Sequence, residues 1–259
     1  MVISAVSTIV FAAVVWAVVV NTPGWPRVQQ SFFNPESFLG ALPRVFTGLL
    51  LNIRVLLIAA VGVLILSLLI ALARTLRGAV FFPLRALAAG YTDLFRGMPL
   101  IIVLYLVGFG IPGLRLTEQR IPLEVLGSIA LILTYSAYVS EVWRAGIEAV
   151  HPSQVLAARS LGLSHAKTLR LVVLPQAVRK VTPALMNDFI AMQKDVGLIS
   201  VLGAVDAVRA AQIETSRFAD FTPYVLAGLL FVLLALPMIR LADWYSARLR
   251  RREQIGSVL

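Results

Sequence analysis

The chain has 259 residues, 59% of them hydrophobic, with a mean hydropathy of +0.88. Soluble domains hold about half apolar residues, so this composition excludes one and indicates a polytopic helical membrane protein. The absence of cysteine rules out disulfides and thiolate metal sites, and two histidines, His151 and His165, are too few for a histidine-based metal centre. The formal charge of +10 is better explained by cytoplasmic positive charge than by a nucleic-acid partner, which is testable by placing the charges.

In chain order, Val2–Val20 is one span long and lacks the basic region and small-residue cleavage site of a secretory signal, so it is expected to stay as a transmembrane helix. Residues 21–44 hold Pro23, Pro26, Pro35 and Pro43 and read as an extramembrane loop. An apolar run from Val45 to Ala73 is the second span. The stretch 74–96 carries Arg74, Arg77, Arg85 and Arg96, and its amphipathic part is expected to enter the membrane obliquely. The next span covers 96–111, followed by a turn at Pro112, Gly113 and Pro122. Further spans are expected at Pro122–Val142, Pro183–Val205 and Pro223–Tyr245, with a polar loop over 203–222.

Six spans place both termini on one side, together with 74–96, 143–182 and 240–259. These segments carry 4, 6 and 5 Lys and Arg, against 2 each in 21–44, 113–122 and 203–222. The basic side is therefore expected to be cytoplasmic. The terminal Arg248–Arg252 run reads as a stop signal at the membrane surface.

The basic side contains one segment with internal order, LAARSLGLSHAKTLRLVVLP at 156–175. Pro152 suits a first helical turn and Ser153 a cap. Gly162 suits a left-handed stop, Ser164 a second cap, and Leu169, Val172 and Val173 an apolar stripe. Ala157 and Ala158 are small enough for another surface to approach. Arg159, Lys167 and Arg170 are expected on outer faces.

This segment resembles the cytoplasmic coupling loop of ABC-importer permeases, whose pattern is Glu-Ala-Ala, three residues, Gly, nine residues, Ile-x-Leu-Pro. Ala157, Ala158, Gly162, Leu174 and Pro175 fall at matching positions, flanked by Arg159 and Leu163, and Val172 replaces the isoleucine. Leu156 stands where the pattern has glutamate. That glutamate would lie at N3 of a Ser153-capped helix and could close a capping box, so Leu156→Glu is expected to be tolerated. The stretches 95–112, 135–154 and 174–203 are similar to the polar amino acid branch of the family, and the resemblance spans about Val45 to Arg252.

The resemblance implies an all-α integral membrane protein: a five-helix, MetI-like permease core with one additional N-terminal transmembrane helix. It implies a division into 1–20 (helix), 21–44 (extracytoplasmic loop), 45–252 (permease domain, coupling loop 151–175) and 253–259 (cytoplasmic tail). It further implies a multi-pass inner-membrane protein with both termini in the cytoplasm. Implied partners are an ATP-binding cassette ATPase dimer, a second or related permease, an extracytoplasmic solute-binding protein, an amino acid substrate and membrane lipid, with no nucleic acid. No phosphate-loop, G-x-S-x-G or H-E-x-x-H motif occurs, so ATP and Mg would be bound by the partner ATPase and the chain itself would not be an enzyme. A secondary transporter or channel working without an ATPase is the alternative.

Polar residues within spans need a reason, since each costs about 2.5–3.5 kcal/mol at mid-bilayer. Asn52 and Arg54 open the second span. Asn187, Asp188, Lys194 and Asp195 form pairs seven residues apart on one helix, a stripe expected to face the bundle. It reads either as a contact surface for a zwitterionic amino acid, with Arg54 as a further carboxylate partner, or as a structural ion-pair network. Glu141 and Arg144 read as a boundary pair, Gly48, Gly62, Gly108, Gly110, Gly127 and Gly228 as sites of close helix packing, and Trp16, Trp25, Trp143 and Trp244 as interfacial anchors.

Overall fold

The computed structural model describes residues 2–76, 78–115 and 119–256, with side chains from 3 to 249. Arg77, positions 116–118 of the expected turn, residues 257–259 of the tail and the side chains of Arg250, Arg251 and Arg252 lie outside it. The described residues form helices and turns, without a strand among them. Four helices are long and apolar enough to cross a membrane, and two bent pairs raise the number to six.

Helix α1, Val2–Val20, is apolar on all sides, and none of its residues from Ile3 to Val20 is buried by the rest of the chain. The expected loop at 21–44 is instead helical. Helix α2, Trp25–Phe32, is short and amphipathic, and α3 runs without interruption from Pro35 to Thr75. Proline suggested a loop because it breaks helix interiors, but Pro26 and Pro35 sit in first turns, where no backbone donor is needed, and Pro43 is accommodated inside α3. The Asn34 side chain caps α3, accepting from the Glu36 N–H at 3.0 Å and the Ser37 N–H at 3.5 Å. The 41 residues of α3 rise about 60 Å, twice a bilayer core, so both ends project from the hydrocarbon.

After a short 3-10 turn at Ala79–Phe81, helix α4, Phe82–Gly97, lies against the bundle. The Tyr91 hydroxyl reaches the Leu133 carbonyl and Ser136 Oγ, both at 2.7 Å, which ties α4 to the helix that follows. The span anticipated at 96–111 is not straight. Pro99 breaks it, and α5, Leu100–Tyr105, continues through a π turn at Leu106–Gly110 into α6, Ile111–Gly113. This run turns 106° away from the preceding Ala79–Gly97 segment. Its 14 residues rise only about 21 Å, so it needs α4 to complete a crossing.

Helix α7, Leu123–Glu148, is the central element and packs along α3. Val55, Leu56, Ala59 and Val63 of α3 meet Leu126, Ala130, Leu131 and Val139 of α7 in the main core. The segment that follows α7 holds α8, Pro152–Ser160, and α9, His165–Thr168, followed by a π turn at Leu169–Val173. Helix α10, Leu174–Asp195, begins nine residues before Pro183 and runs into a 3-10 segment, Val196–Leu202. The polar loop expected at 203–222 contains α11, Ala207–Phe218. Helix α12, Thr222–Gly256, carries the last span straight into the arginine-rich tail.

A buried polar clasp fixes α11 on α3. Asn52 is fully buried; its Nδ2 donates to Asp206 Oδ2 (2.9 Å) and the Val196 carbonyl (3.2 Å), and its Oδ1 accepts from the Ala207 N–H (3.0 Å). Gly48 allows this approach: a Cβ there would lie 2.4 Å from the Asp206 carbonyl carbon. Gly62, Gly108 and Gly127 are likewise filled by neighbouring side chains, whereas Gly110 and Gly228 face open space and are not packing sites within this chain. Trp143 is not an exposed anchor. It is 7% exposed and belongs to the main core.

Candidate functional site

Two regions gather the residues singled out by sequence. The first is the segment between α7 and α10. The cap of α8 is His151, not Ser153: His151 Nδ1 accepts from the Ser153 N–H at 3.3 Å. Pro152 is therefore N1 and Gln154 is N3, so position 156 lies past the reach of a capping box. The argument for tolerance of glutamate at 156 through capping is thus removed. Leu156 is 66% exposed, and Ala157 and Arg159 are also exposed. Ala158 turns inward and is buried, so only Ala157 of the pair is open to another surface.

The helix ends as its glycine suggested. Gly162 has φ +81°, its N–H donates to the Arg159 carbonyl (3.0 Å), and the Leu163 N–H donates to the Ala158 carbonyl (3.2 Å). These two bonds are the paired closure of a Schellman motif. Arg159 Nη1 also reaches the Leu163 carbonyl at 3.2 Å, locking the turn. Ser164 caps α9 through the Lys167 N–H. Val173 is buried while Leu169, Val172 and Leu174 are half-buried, so the expected stripe holds the segment to the bundle; Pro175 is exposed at the start of α10.

Above this segment Glu141 is more than a boundary pair. Arg74 of α3 bonds to its Oε1, and Arg144 bonds to its Oε2 through Nη2 at 2.6 Å and Nε at 2.9 Å. Arg96 of α4 stands 3.9 Å away. One carboxylate thus joins α3, α4 and α7 at the basic end of the bundle.

The second region is the polar stripe of α10, which splits. Asn187 and Lys194 are exposed on the surface of the chain, while Asp188 and Asp195 are half-buried and face inward. Adjacent residues differ by about 100° around a helix, so both pairs cannot share one face. Asp195 Oδ2 accepts from the Tyr135 hydroxyl of α7 at 2.7 Å. Asp188 lines a cavity of about 300 Å³ with Tyr135, Val139, Thr182, Met186 and Met192, and its Oδ2 is buried without a hydrogen-bond partner. Arg54 is not part of this arrangement. It is 67% exposed and pairs with Glu124 at 3.4 Å. Among the described residues neither Asp188 nor Asp195 has an ion-pair partner within this chain.

Sequence reasoning missed Tyr135, although it opens the family-like stretch 135–154, because a tyrosine among apolar residues carries no charge to flag it. It also missed the buried acids Asp206, Glu214 and Asp220, placed in a supposed polar loop. Glu214 pairs with Arg44 of α3 and, at 3.5 Å, with Arg217. Asp220 accepts from Ser37 and from the Thr222 N–H at 2.9 Å.

The cavity has the size and composition of a small-ligand site, apolar walls with few polar groups, at the lower end of the usual range of about 300–1,000 Å³. Carboxylates without an internal cation can meet a cationic group of a ligand.

Comparison with known proteins supplies the family. The arginine transport system permease protein ArtQ of Bacillus subtilis (strain 168) is 33% identical over 196 residues, 75% of this chain and 87% of that protein. The inner membrane amino-acid ABC transporter permease protein YhdY of Escherichia coli (strain K12) is 32% identical over 249 residues, 93% of this chain and 64% of that protein. A solved structure described as an amino acid ABC transporter with histidines superposes with a TM-score of 0.74 at 33% identity, covering 83% of this chain and 98% of that one. The MetNI methionine ABC transporter in an inward-facing conformation gives 0.63 at 17% identity over 84% of this chain and 99% of that one, a likeness of fold. Residues 79–251 match the family described as binding-protein-dependent transport system inner membrane component, and with the relatives at 33% identity this places the chain among the membrane-embedded permease subunits of ABC importers.

Proposed function

We propose that this permease imports a polar amino acid delivered by an extracytoplasmic solute-binding protein, and that its basic side faces the cytoplasm with both termini. The segment 151–175 is the coupling loop, and an ATPase dimer that binds ATP and Mg drives the cycle while this chain hydrolyses nothing. Two permeases, identical or related, form the translocation unit in the inner membrane. Residues 1–20 span the membrane, 21–44 lie outside it, 45–252 form the permease domain and 253–259 the cytoplasmic tail.

Mechanistically, ATP binding draws the ATPases together and moves α8 and α9. Their π-turn junction with α10 carries that motion toward Asp188 and Asp195, and the Glu141 cluster carries it to α3 and α4. The ammonium of the substrate meets Asp188 in the cavity, with Asp195 set behind it through Tyr135; Asn187 and Lys194, on the exposed face of α10, are open to the second permease or to the substrate carboxylate.

The observation that carries the reading is the 33% identity with amino-acid permeases over three quarters of the chain. The alternative of a carrier working without an ATPase finds no support among the comparisons. The test is reconstitution with the ATPase and the binding protein in liposomes, followed by a screen of the common amino acids for stimulation of ATP hydrolysis and for uptake. Stimulation and uptake by one or a few polar amino acids is the expected result. Ion-driven uptake by this chain alone, unchanged by ATP, would overturn it.

A further inference from the structure

The cavity of about 300 Å³ between α3, α7, α10 and α12 offers hydrogen-bond acceptors and, among its lining residues, no free donor. Only three lining side chains carry oxygen: Tyr135, Thr182 and Asp188. The Tyr135 hydroxyl donates to Asp195 Oδ2 at 2.7 Å, and the Thr182 hydroxyl donates to the Val178 carbonyl at 2.6 Å. Each hydroxyl has one proton, so both are spent. The Asp188 carboxylate and the thioethers of Met186, Met192 and Met238 are acceptors. Every lining residue lies inside a helix, where its backbone N–H is already engaged.

This one-sidedness decides which part of an amino acid can enter. The α-carboxylate hangs on the same carbon as the α-ammonium, so seating the α-ammonium on Asp188 brings the carboxylate into the cavity as well. There it would be a second anion with nothing to donate to it. A side-chain amide would satisfy Asp188 with its NH2 and leave its own carbonyl oxygen unpaired. An ammonium or a guanidinium carries donors and no acceptor, the complement of this lining. An alkyl stem matches the apolar wall, and the methionines adapt to stems of different length. The cations nearby in the chain stay outside: Arg179, Lys180, Lys194 and Arg240 are exposed, and none of them lines the cavity.

We infer that the substrate is a cationic amino acid, one with an ammonium or guanidinium at the end of an alkyl side chain, and that Asp188 binds this side-chain cation while the α-ammonium and α-carboxylate stay at the mouth of the cavity. The inference rests on the reading of this cavity as the substrate site and adds the class of substrate and the end that enters first. The buried Asp188 Oδ2 has no hydrogen-bond partner, and the charge of Asp195 stands behind Tyr135. The site is thus short of positive charge and of donors until such a side chain arrives. A neutral zwitterion brings no net charge to make up the deficit.

The experiment measures binding by calorimetry to the complex of permease and ATPase in nanodiscs, without the binding protein, so that only the membrane site selects. Uptake is measured with the complete importer in liposomes. Agmatine and cadaverine keep a side-chain cation and lack the carboxylate; norleucine keeps both α-groups and an alkyl stem and lacks the cation. Agmatine or cadaverine should bind nearly as well as arginine or lysine, and norleucine and glutamine should bind at least tenfold more weakly, about 1.4 kcal/mol. Asp188→Asn should abolish this preference. Asp188→Glu should keep it and favour ornithine over lysine, because its carboxylate reaches one methylene further into the cavity. The comparison of fragments on the wild-type complex decides the matter even where Asp188→Asn fails to assemble. Binding of norleucine as tight as that of lysine, or no binding of any cationic probe at millimolar concentration, would overturn the inference. If the complete importer takes up a neutral or acidic amino acid with ATP and no cationic one, the permease reading stands and the inference falls. If no amino acid gives ATP-dependent uptake, both fall.

Discussion

Asp195→Asn separates a substrate contact from a structural one because the geometry fixes how little it should cost the fold. The carboxylate has no ion-pair partner among the described residues, so neutralising it strands no buried cation, and the penalty of about 3–5 kcal/mol for a broken buried pair does not arise. What changes is the 2.7 Å bond from the Tyr135 hydroxyl. An asparagine oxygen still accepts it, and the loss is the difference between a charge-assisted and a neutral hydrogen bond, about 1 kcal/mol. For a chain of this length that is about 2–4 °C in melting temperature. The substrate loses more: Asp195 holds its charge behind Tyr135, which lines the cavity, and an ammonium deprived of that charge should be transported tenfold less or worse, equivalent to about 1.4 kcal/mol. Uptake into proteoliposomes is measured beside fluorescence-detected melting of the same preparations, with basal ATPase activity as the assembly control. Wild-type uptake with unchanged melting would remove Asp195 from the pathway. A drop of 10 °C or more with loss of assembly would make the Tyr135–Asp195 bond a structural one and refute the reasoning.

Three further outcomes are expected. In this cysteine-free chain, Ser164→Cys should react with an impermeant thiol reagent only from the cytosolic side and Gln30→Cys, exposed on α2, only from outside; the reverse pattern would invert the topology and remove the coupling-loop assignment. Gly162→Val forces a β-branched residue to φ +81° in otherwise open space, so it should cost about 1–2 kcal/mol of local strain and abolish coupling while membrane insertion stays normal, as read by ATP-driven uptake and membrane yield. Gly48→Ala places a methyl 2.4 Å from the Asp206 backbone and should destabilise by about 1–3 kcal/mol through displacement of α11; a melting temperature equal to wild type would mean that the clasp is loose.

How much of this was legible depended on whether the signal was local. Gly162 could be read because a positive φ is a demand made by one residue and its immediate neighbours. The apolar helices followed from summed hydropathy, which survives errors in any single boundary. Proline was the misleading signal. At Pro26, Pro35 and Pro175 it occupies a first helical turn, at Pro43, Pro183 and Pro237 it lies inside a continuing helix, and at Pro99 it marks the break where the path bends by 106°. Sequence alone does not say which turn a proline occupies, so 21–44 reads as a loop and 96–111 as a span.

The stripe on α10 failed for a different reason. Spacing by seven establishes which residues share a face, and it correctly pairs 188 with 195 and 187 with 194. It carries no information on which face is inside, and that was decided by Tyr135 on α7, 53 positions away from Asp188 in the chain. The same holds around α11, where Asp206, Glu214 and Asp220 look like ordinary loop acids until Asn52, Arg44 and Ser37 of α3 are brought beside them. A buried carboxylate is tolerable only with its partners in place, and partners on another helix are what one-dimensional patterns omit. Leu156 shows the converse. Its departure from the family pattern was visible at once, but its meaning depended on one cap: with Ser153 as N-cap it would be a lost helix contact, and with His151 as N-cap it lies beyond the cap as an exposed side chain.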